Sequence, residues 1–263
     1  MAVSAAAKSN HDQLFGDRVS TLAQSDPELI EYFDNFAFGE VHADAARLDE
    51  TFDLHIRLMV QLAAILAAGG LAGFRVVAAA AVANGGVSPV ELKEIVYQSV
   101  AYVGMARAFD YLHAVVDVLT EAGVELPLPG QSASTPQTRL GYGKAVQGRI
   151  VGDEAVAARL TDTPADEVHF QRYLAANCFG DTVGRGGIEL EVRELLTFSM
   201  LVALGGADAQ VRGHVHANLR VGNTRARLLA VLTVLVPFIG YPRTLNGLAA
   251  VNGLAAVNDI TAS

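Results

Sequence analysis

The chain states one pattern twice. Residues 53–112 lie over residues 189–248 without a gap, 136 positions apart. The matches include Leu54/Leu190, Arg57/Arg193, Gly69-Gly70/Gly205-Gly206, Gly86/Gly222, Leu92/Leu228, Gly104/Gly240 and Arg107/Arg243. Identity between the copies is modest and falls mainly on glycines, arginines and apolar spacers, the residues that set bends, caps and core contacts of a repeated unit. A duplicated unit confines the fold to two similar substructures that share a core. The differences carry the chemistry: Glu194, His214 and His216 of the second copy stand opposite Leu58, Ala78 and Ala80 of the first.

Helices are expected throughout. No sustained alternation of apolar and polar residues bounded by hairpin turns occurs, and the apolar content of 51% is rich in alanine, with no tryptophan, which favours closely packed helices. In the first copy a helix is expected to run to Ala68 and stop at Gly69-Gly70. A second ends at Asn84-Gly85-Gly86. Ser88-Pro89-Val90-Glu91 then gives an N-cap, a proline in the first turn and an acidic third position, the signature of a new helix. Upstream, Asp26 is expected to cap a helix that starts at Pro27. Residues 1–50 read as a helical lead-in, 51–123 as the first repeat and 124–140 as a proline-rich linker. Residues 141–187 form a second lead-in, 188–253 the second repeat and 254–263 a C-terminal tail.

Composition removes several classes of function. A net charge of −9 without a Lys/Arg cluster disfavours nucleic acid and anionic membrane surfaces as partners, since both require a positive stripe. Residues 58–74 are uncharged, but Gln61 and Gly69-Gly70 interrupt them, and their counterpart begins at Glu194 and runs into Asp208 and Arg212. A buried helix rather than a membrane span is expected. One cysteine, Cys178, leaves no intrachain disulfide or CxxC pair and fits a cytoplasmic protein. The first residues, MAVSAAAKSNHDQ, hold no apolar stretch of the kind an export signal needs.

The segment RELLTFSMLVALGGADAQVRGHVHANLRVGNTRARLLAVLTVLVPFIGYPRTLNGLAAVN resembles the carboxymuconolactone decarboxylase family, which shares its helical fold with the AhpD-like alkylhydroperoxidases. RLMVQLAAILAAGG and VSPVELKEIVYQSVAYVGMARAFDYLHAV resemble a second copy of the same unit. The resemblance implies an all-α, AhpD-like fold in two tandem repeats. In peroxidatic members a glutamate precedes a CxxC pair and a histidine. Here the glutamate matches Glu194 and the histidine His214, while the cysteine positions hold Ala207 and Gln210. Neither a methyl group nor an amide replaces a thiolate nucleophile, so a dithiol peroxidase is not expected.

The resemblance therefore implies a cofactor-free acid/base enzyme, decarboxylase-like, acting on a small carboxylate, lactone or enol. His214 and Glu194 are the catalytic candidates, because imidazole carries protons near neutral pH and a carboxylate fixes its tautomer. Candidates for substrate binding are His216, Arg193, Asn218 and Tyr241. On a helix His214 and His216 point about 200° apart, so they are not expected to face one pocket squarely, and no metal site is expected. A lone buried histidine is more often a satisfied core hydrogen bond than a proton carrier. Arg57 and Arg193 occur in both copies, which favours bracing over catalysis. Tyr97, Gln98, His55 and His113 read as surface or capping residues, and Cys178 as a small buried apolar one. A homo-oligomer, a trimer for a tandem chain, is expected from the family. Two alternatives stand beside the lyase: an isomerase, dehydratase or cyclase on the same fold, and a non-catalytic scaffold or small-molecule binding protein.

Overall fold

The computed structural model describes residues 2–16 and 18–261, with side chains up to Gly253. Among the described residues every regular element is helical, and no strand occurs. The repeat appears as two sets of four helices with matching limits. In the first half these are α4 (Leu54–Ala68), α5 (Leu71–Ala83), α6 (Pro89–Val103) and α7 (Met105–Glu121). In the second they are α11 (Leu190–Leu204), α12 (Asp208–Arg220), α13 (Arg225–Ile239) and α14 (Tyr241–Thr261). The ends of α4 and α6 recur 136 residues later in α11 and α13. Local chemistry sets them: Asp53 accepts from the Ile56 amide at 2.9 Å, and Thr224 from the Arg227 amide at 3.0 Å. The expected capping box is formed at Ser88 and Glu91.

Each set is preceded by a lead-in with one π-helical segment. The first comprises α1 (Ala5–Phe15), α2 (Pro27–Asp34), π1 (Asn35–Glu40) and α3 (Val41–Leu48). The second comprises α8 (Arg139–Val151), α9 (Asp153–Asp162), α10 (Val168–Tyr173) and π2 (Leu174–Val183). Asp26 precedes α2 as expected, with Pro27 in the first turn, but its carboxylate caps no backbone amide; it accepts from the Ser25 hydroxyl at 2.7 Å instead. Helix α8 crosses π2 so closely that a Cβ on Gly143 would fall 1.8 Å from the Ala175 carbonyl oxygen, and one on Gly180 2.4 Å from that of Arg139. Glycine is required on both sides of this crossing because either methyl group would overlap backbone.

The halves interlock around the core formed where α4 packs against α11. Residues 56–67 of α4 and 193–203 of α11 are buried without interruption. This is why residues 58–74 read as one long apolar run: burial on all sides removes the amphipathic period. No helix among the described residues is long and apolar enough to cross a membrane. Helix α6 reaches over to α11 and π2, and α13 reaches back to α4 and α3. The segment 124–138 is held down rather than loose. Val124, Leu126 and Leu128 pack against the core, and the Gln131 carbonyl accepts from the Gly186 amide at 2.8 Å. Residues 254–261, read from sequence as a tail, continue α14, and residues 262–263 lie outside the described residues.

Candidate functional site

Arg193 and Glu194 are neighbours on α11, so their side chains leave the helix about 100° apart. They serve different partners. Glu194 is fully buried and turns toward α12, where its Oε2 lies 2.8 Å from Nδ1 of His214. With the carboxylate as acceptor, Nδ1 carries the hydrogen and Nε2 is the nitrogen left for other work. The second oxygen, Oε1, is buried without a hydrogen-bond partner. His214 is partly exposed and lines a cavity of about 1200 Å³ between α8, α9, π2, α12 and the ends of α6 and α11.

Asn218, one turn beyond His214, is fully buried and does not reach the cavity. Its amide donates to the carbonyls of Glu194 at 3.1 Å and His214 at 2.7 Å, and its Oδ1 accepts from Asn223 at 2.9 Å. The expected substrate contact is thus a tie between α11 and α12, made because buried backbone carbonyls need donors.

Arg193 is also displaced from its expected role. It is fully buried and faces the first half, where its guanidinium donates to Glu94 at 3.0 Å, to Oε1 of Gln98 at 3.0 Å and to the Gly186 carbonyl at 2.7 Å. Arg185 grips the same Glu94 through two nitrogens. The Arg193 Nε has no partner among the described residues, but the guanidinium is fully buried and lies outside the cavity lining, so it does not meet a substrate carboxylate there. Tyr241, at the first turn of α14, is 61% exposed and away from the cavity. His216 is exposed and does line the cavity with His214. The opening is broad enough to take in two side chains that diverge around the helix.

Two further groups stand on the cavity wall, Tyr102, which the sequence reading did not single out, and Cys178, which it read as a small buried apolar residue. Tyr102 comes from the end of α6 in the first half, and its hydroxyl accepts from Thr197 at 2.8 Å. Burial lifts its pKa well above the usual range, and the neighbouring Cys178 and Glu194 lift it further. Cys178 lies on π2 and its thiol is pushed up to about 12, by burial first and by the Glu194 carboxylate second. Both are protonated at neutral pH. Ala207 and Gln210, at the positions where peroxidatic relatives would carry thiols, line the same cavity. Gln98, expected at a surface or cap, is fully buried and donates to the Arg193 carbonyl at 2.8 Å and to Thr197 Oγ1 at 3.0 Å.

The first half lacks all of this. Aligning the lead-ins on Phe38-Gly39 and Phe179-Gly180 places Ala37 opposite Cys178. The repeat offset places Leu58 opposite Glu194, Ala78 opposite His214 and Phe238 opposite Tyr102. The corresponding space is filled by rings: Phe33 meets Phe38 and Phe238 at centroid distances of 6.4 and 6.2 Å, and Phe15 meets Phe38 at 6.1 Å. Tyr102 and Cys178 could have been found by the same signal that exposed Glu194, a polar residue facing an apolar one across the copies. The lead-ins needed a different offset before Cys178 showed it.

Two fused helical units, one packed solid and one holding a buried carboxylate against a cavity-facing imidazole, define a tandem all-α protein with a single equipped half. The chain belongs to the carboxymuconolactone decarboxylase family, whose profile matches it twice, at residues 27–117 and 169–253. Both matches begin in the lead-ins, at α2 and α10. A comparison with curated proteins found no match.

Proposed function

We propose that the cavity of the second half is the site of a cofactor-free acid/base enzyme, a decarboxylase-like lyase acting on an organic acid or its lactone. The observation that carries this reading is the 2.8 Å contact between the fully buried Glu194 and His214, whose ring faces the cavity. A carboxylate buried at such cost without a structural ion pair is well suited to holding an imidazole in one tautomer and stabilising its protonated form. His214 is the proton carrier and Glu194 its orienting group.

The carboxylate-binding role expected of Arg193 passes to Arg220 and Arg159. Both line the cavity, and neither pairs with an acid among the described residues. Arg220 lies six residues beyond His214 on α12, about 9 Å along the axis, so a substrate that spans both carries its carboxylate well away from the reacting carbon, or carries two. The cavity exceeds the range of about 300–1000 Å³ usual for small-molecule pockets, which favours a substrate larger than a simple lactone and keeps an isomerase or cyclase as the second reading. The chain holds one cysteine, so a dithiol cycle has no second thiol. Exposed apolar residues recur at equivalent positions on α7 and α14, Met105 and Phe109 against Tyr241 and Leu245; this supports a homo-oligomer, with a trimer favoured for a tandem chain.

The test is CO₂ release and ultraviolet turnover of 4-carboxymuconolactone and a series of β-keto acids by wild type and His214→Ala. The expected loss in the variant is about 10²–10⁴-fold, the range for a positioned general acid or base, at unchanged melting temperature. Turnover without CO₂ selects the isomerase or cyclase reading. No turnover of any enolisable acid by wild type leaves a binding or scaffold protein.

A further inference from the structure

We infer that Tyr102, supplied by the first half, is the hydrogen-bond donor that receives the enolate oxygen of the substrate in the cavity of the second half. The inference rests on His214 as the proton carrier and adds the group that stabilises the charge His214 later quenches.

The argument is one of donor direction. Arg193 has only donors, so the atom of Gln98 that faces its guanidinium at 3.0 Å is the carbonyl oxygen. The Gln98 nitrogen is thereby turned to the Arg193 carbonyl and to Thr197 Oγ1, 3.0 Å away. Thr197, accepting from Gln98, gives its own proton to Tyr102, 2.8 Å away. A phenol that accepts from Thr197 directs its single proton elsewhere, and Tyr102 lines the cavity. Of the titratable and charged groups around it, Cys178 is hydrogen-bonded to the phenol, while Glu194 and Arg193 act on it through their charges. The phenol proton therefore rests on the Cys178 sulfur at the cavity wall. A neutral thiol is a weak acceptor, so an enolate oxygen in the cavity takes the proton over from it, the other nearby acceptor being the Glu194 carboxylate, one oxygen of which is held by His214.

This chain exists once. Positions equivalent to Glu94, Arg193, Gln98, Thr197 and Tyr102 hold Ala230, Arg57, Val234, Gln61 and Phe238. If the polar series served only to brace the halves, it would not need to end in a hydroxyl on the cavity wall, since a phenylalanine completes the other half. A preoriented donor in a partly desolvated site is worth most when charge develops on the atom it faces. For a β-keto acid the bond between the α carbon and the carboxylate breaks and CO₂ leaves. The electron pair moves onto the carbonyl oxygen as an enolate, which accepts from Tyr102. Protonated His214 then delivers its proton to the α carbon, the ketone re-forms, and His214 takes a proton from water. The net consumption is one proton per CO₂, and no other reactant is required.

Tyr102→Phe is the direct test, and the Phe238 counterpart indicates that the fold accepts it. With the keto acid turned over by wild type, we expect kcat to fall about 10²–10³-fold, the scale for removing one oxyanion donor, with KM and melting temperature little changed. Thr197→Val, which leaves the phenol in place but releases its proton from direction, should lower kcat less and leave KM unchanged, and Thr197→Ser should restore it. Binding of 4-nitrophenolate, an enolate mimic followed by its visible absorbance, gives a second measurement: Tyr102→Phe should weaken it at least tenfold and His214→Ala should not. Full kcat in Tyr102→Phe alongside a dead His214→Ala overturns the inference and leaves the proton carrier standing. Should wild type turn over no substrate, the lyase reading falls, and equal nitrophenolate binding by wild type and Tyr102→Phe would then dispose of the donor as well.

Discussion

The two halves share helix limits, glycines and a paired arginine, yet one is built for packing and the other around polar groups. Arg193 in the second half is answered by Glu94 and Gln98. Arg57, its counterpart, is also buried, but the equivalent positions are Ala230 and Val234, and its Nη2 has no partner. Burial alone draws the Arg57 pKa down to about 10. Arg193 also has one buried nitrogen, Nε, without a partner, so the contrast lies in the ion pair: the same residue type at the same helical position is paired with a carboxylate in one half and with none among the described residues in the other. The aromatic fill of the first half and the cavity of the second follow the same division. What differs is not the backbone but whether polar partners were provided across the interface between repeats.

The largest effects should come from the arginines. Arg193→Met strips the buried Glu94 of one of its two guanidinium partners and leaves Gln98 without its donor; loss of about 3–5 kcal/mol is expected, as for a buried pair broken from one side. Arg57→Met removes a buried charge that pairs with no acid among the described residues, so its stability should match or exceed that of wild type. Urea unfolding of both variants checks the contrast. Equal destabilisation would mean that Arg57 has a brace of its own and that the halves are alike after all.

A smaller contrast is expected between the ring plug and the cavity wall. Phe38 and Phe179 occupy equivalent places within π1 and π2, and both are buried. Phe38 is enclosed by Phe15, Phe33 and His11, so Phe38→Ala opens a void within a packed cluster and should cost about 3–5 kcal/mol. Phe179 borders a cavity that already exists, so the same truncation should fall at or below the low end of that range. Thermal melts with and without a bound organic acid would also show whether the cavity, and not the plug, responds to ligand.

Much of this division was readable before any coordinates. Several helix limits were legible because capping residues and glycines act locally: Ser88 and the Gly69 stop need only their sequence neighbours. The Glu194–His214 pair was legible through the family resemblance and through its apolar counterparts. What lay beyond the sequence was the direction in which a buried polar side chain turns. Arg193 and Asn218 were placed in the cavity because they neighbour Glu194 and His214 along the helix. Their partners, Glu94, Gln98 and the backbone carbonyls of α11, come from packing contacts that no local spacing encodes. Tyr102 was hidden for the same reason, since it reaches the second site from the first half across about 95 residues of chain to Thr197. Asp26 shows the converse, a residue with capping chemistry whose carboxylate found a nearer hydroxyl.

The finest probe of the equipped half is the reactivity of Cys178, which has Ala37 as its counterpart. With its thiol pushed up to about 12 by burial and by the Glu194 carboxylate, only about 10⁻⁴ of the sulfur is thiolate at pH 8, so alkylation by iodoacetamide should be slow although the residue lines the cavity. The rate should rise about tenfold per pH unit up to that value, because thiolate is the reacting form. Glu194→Gln removes the carboxylate charge while keeping the shape; the thiol pKa should drop and the rate at pH 8 should increase. His214→Ala leaves Glu194 charged and without its imidazole partner, so it should not accelerate the reaction. If Glu194→Gln leaves the rate unchanged while unfolding restores ordinary thiol reactivity, burial alone governs the sulfur, and the Glu194 charge does not reach across the cavity wall to Cys178. Acceleration would tie the carboxylate, the thiol and, through the same field, Tyr102 into one electrostatic unit that the plugged half has no residues to form.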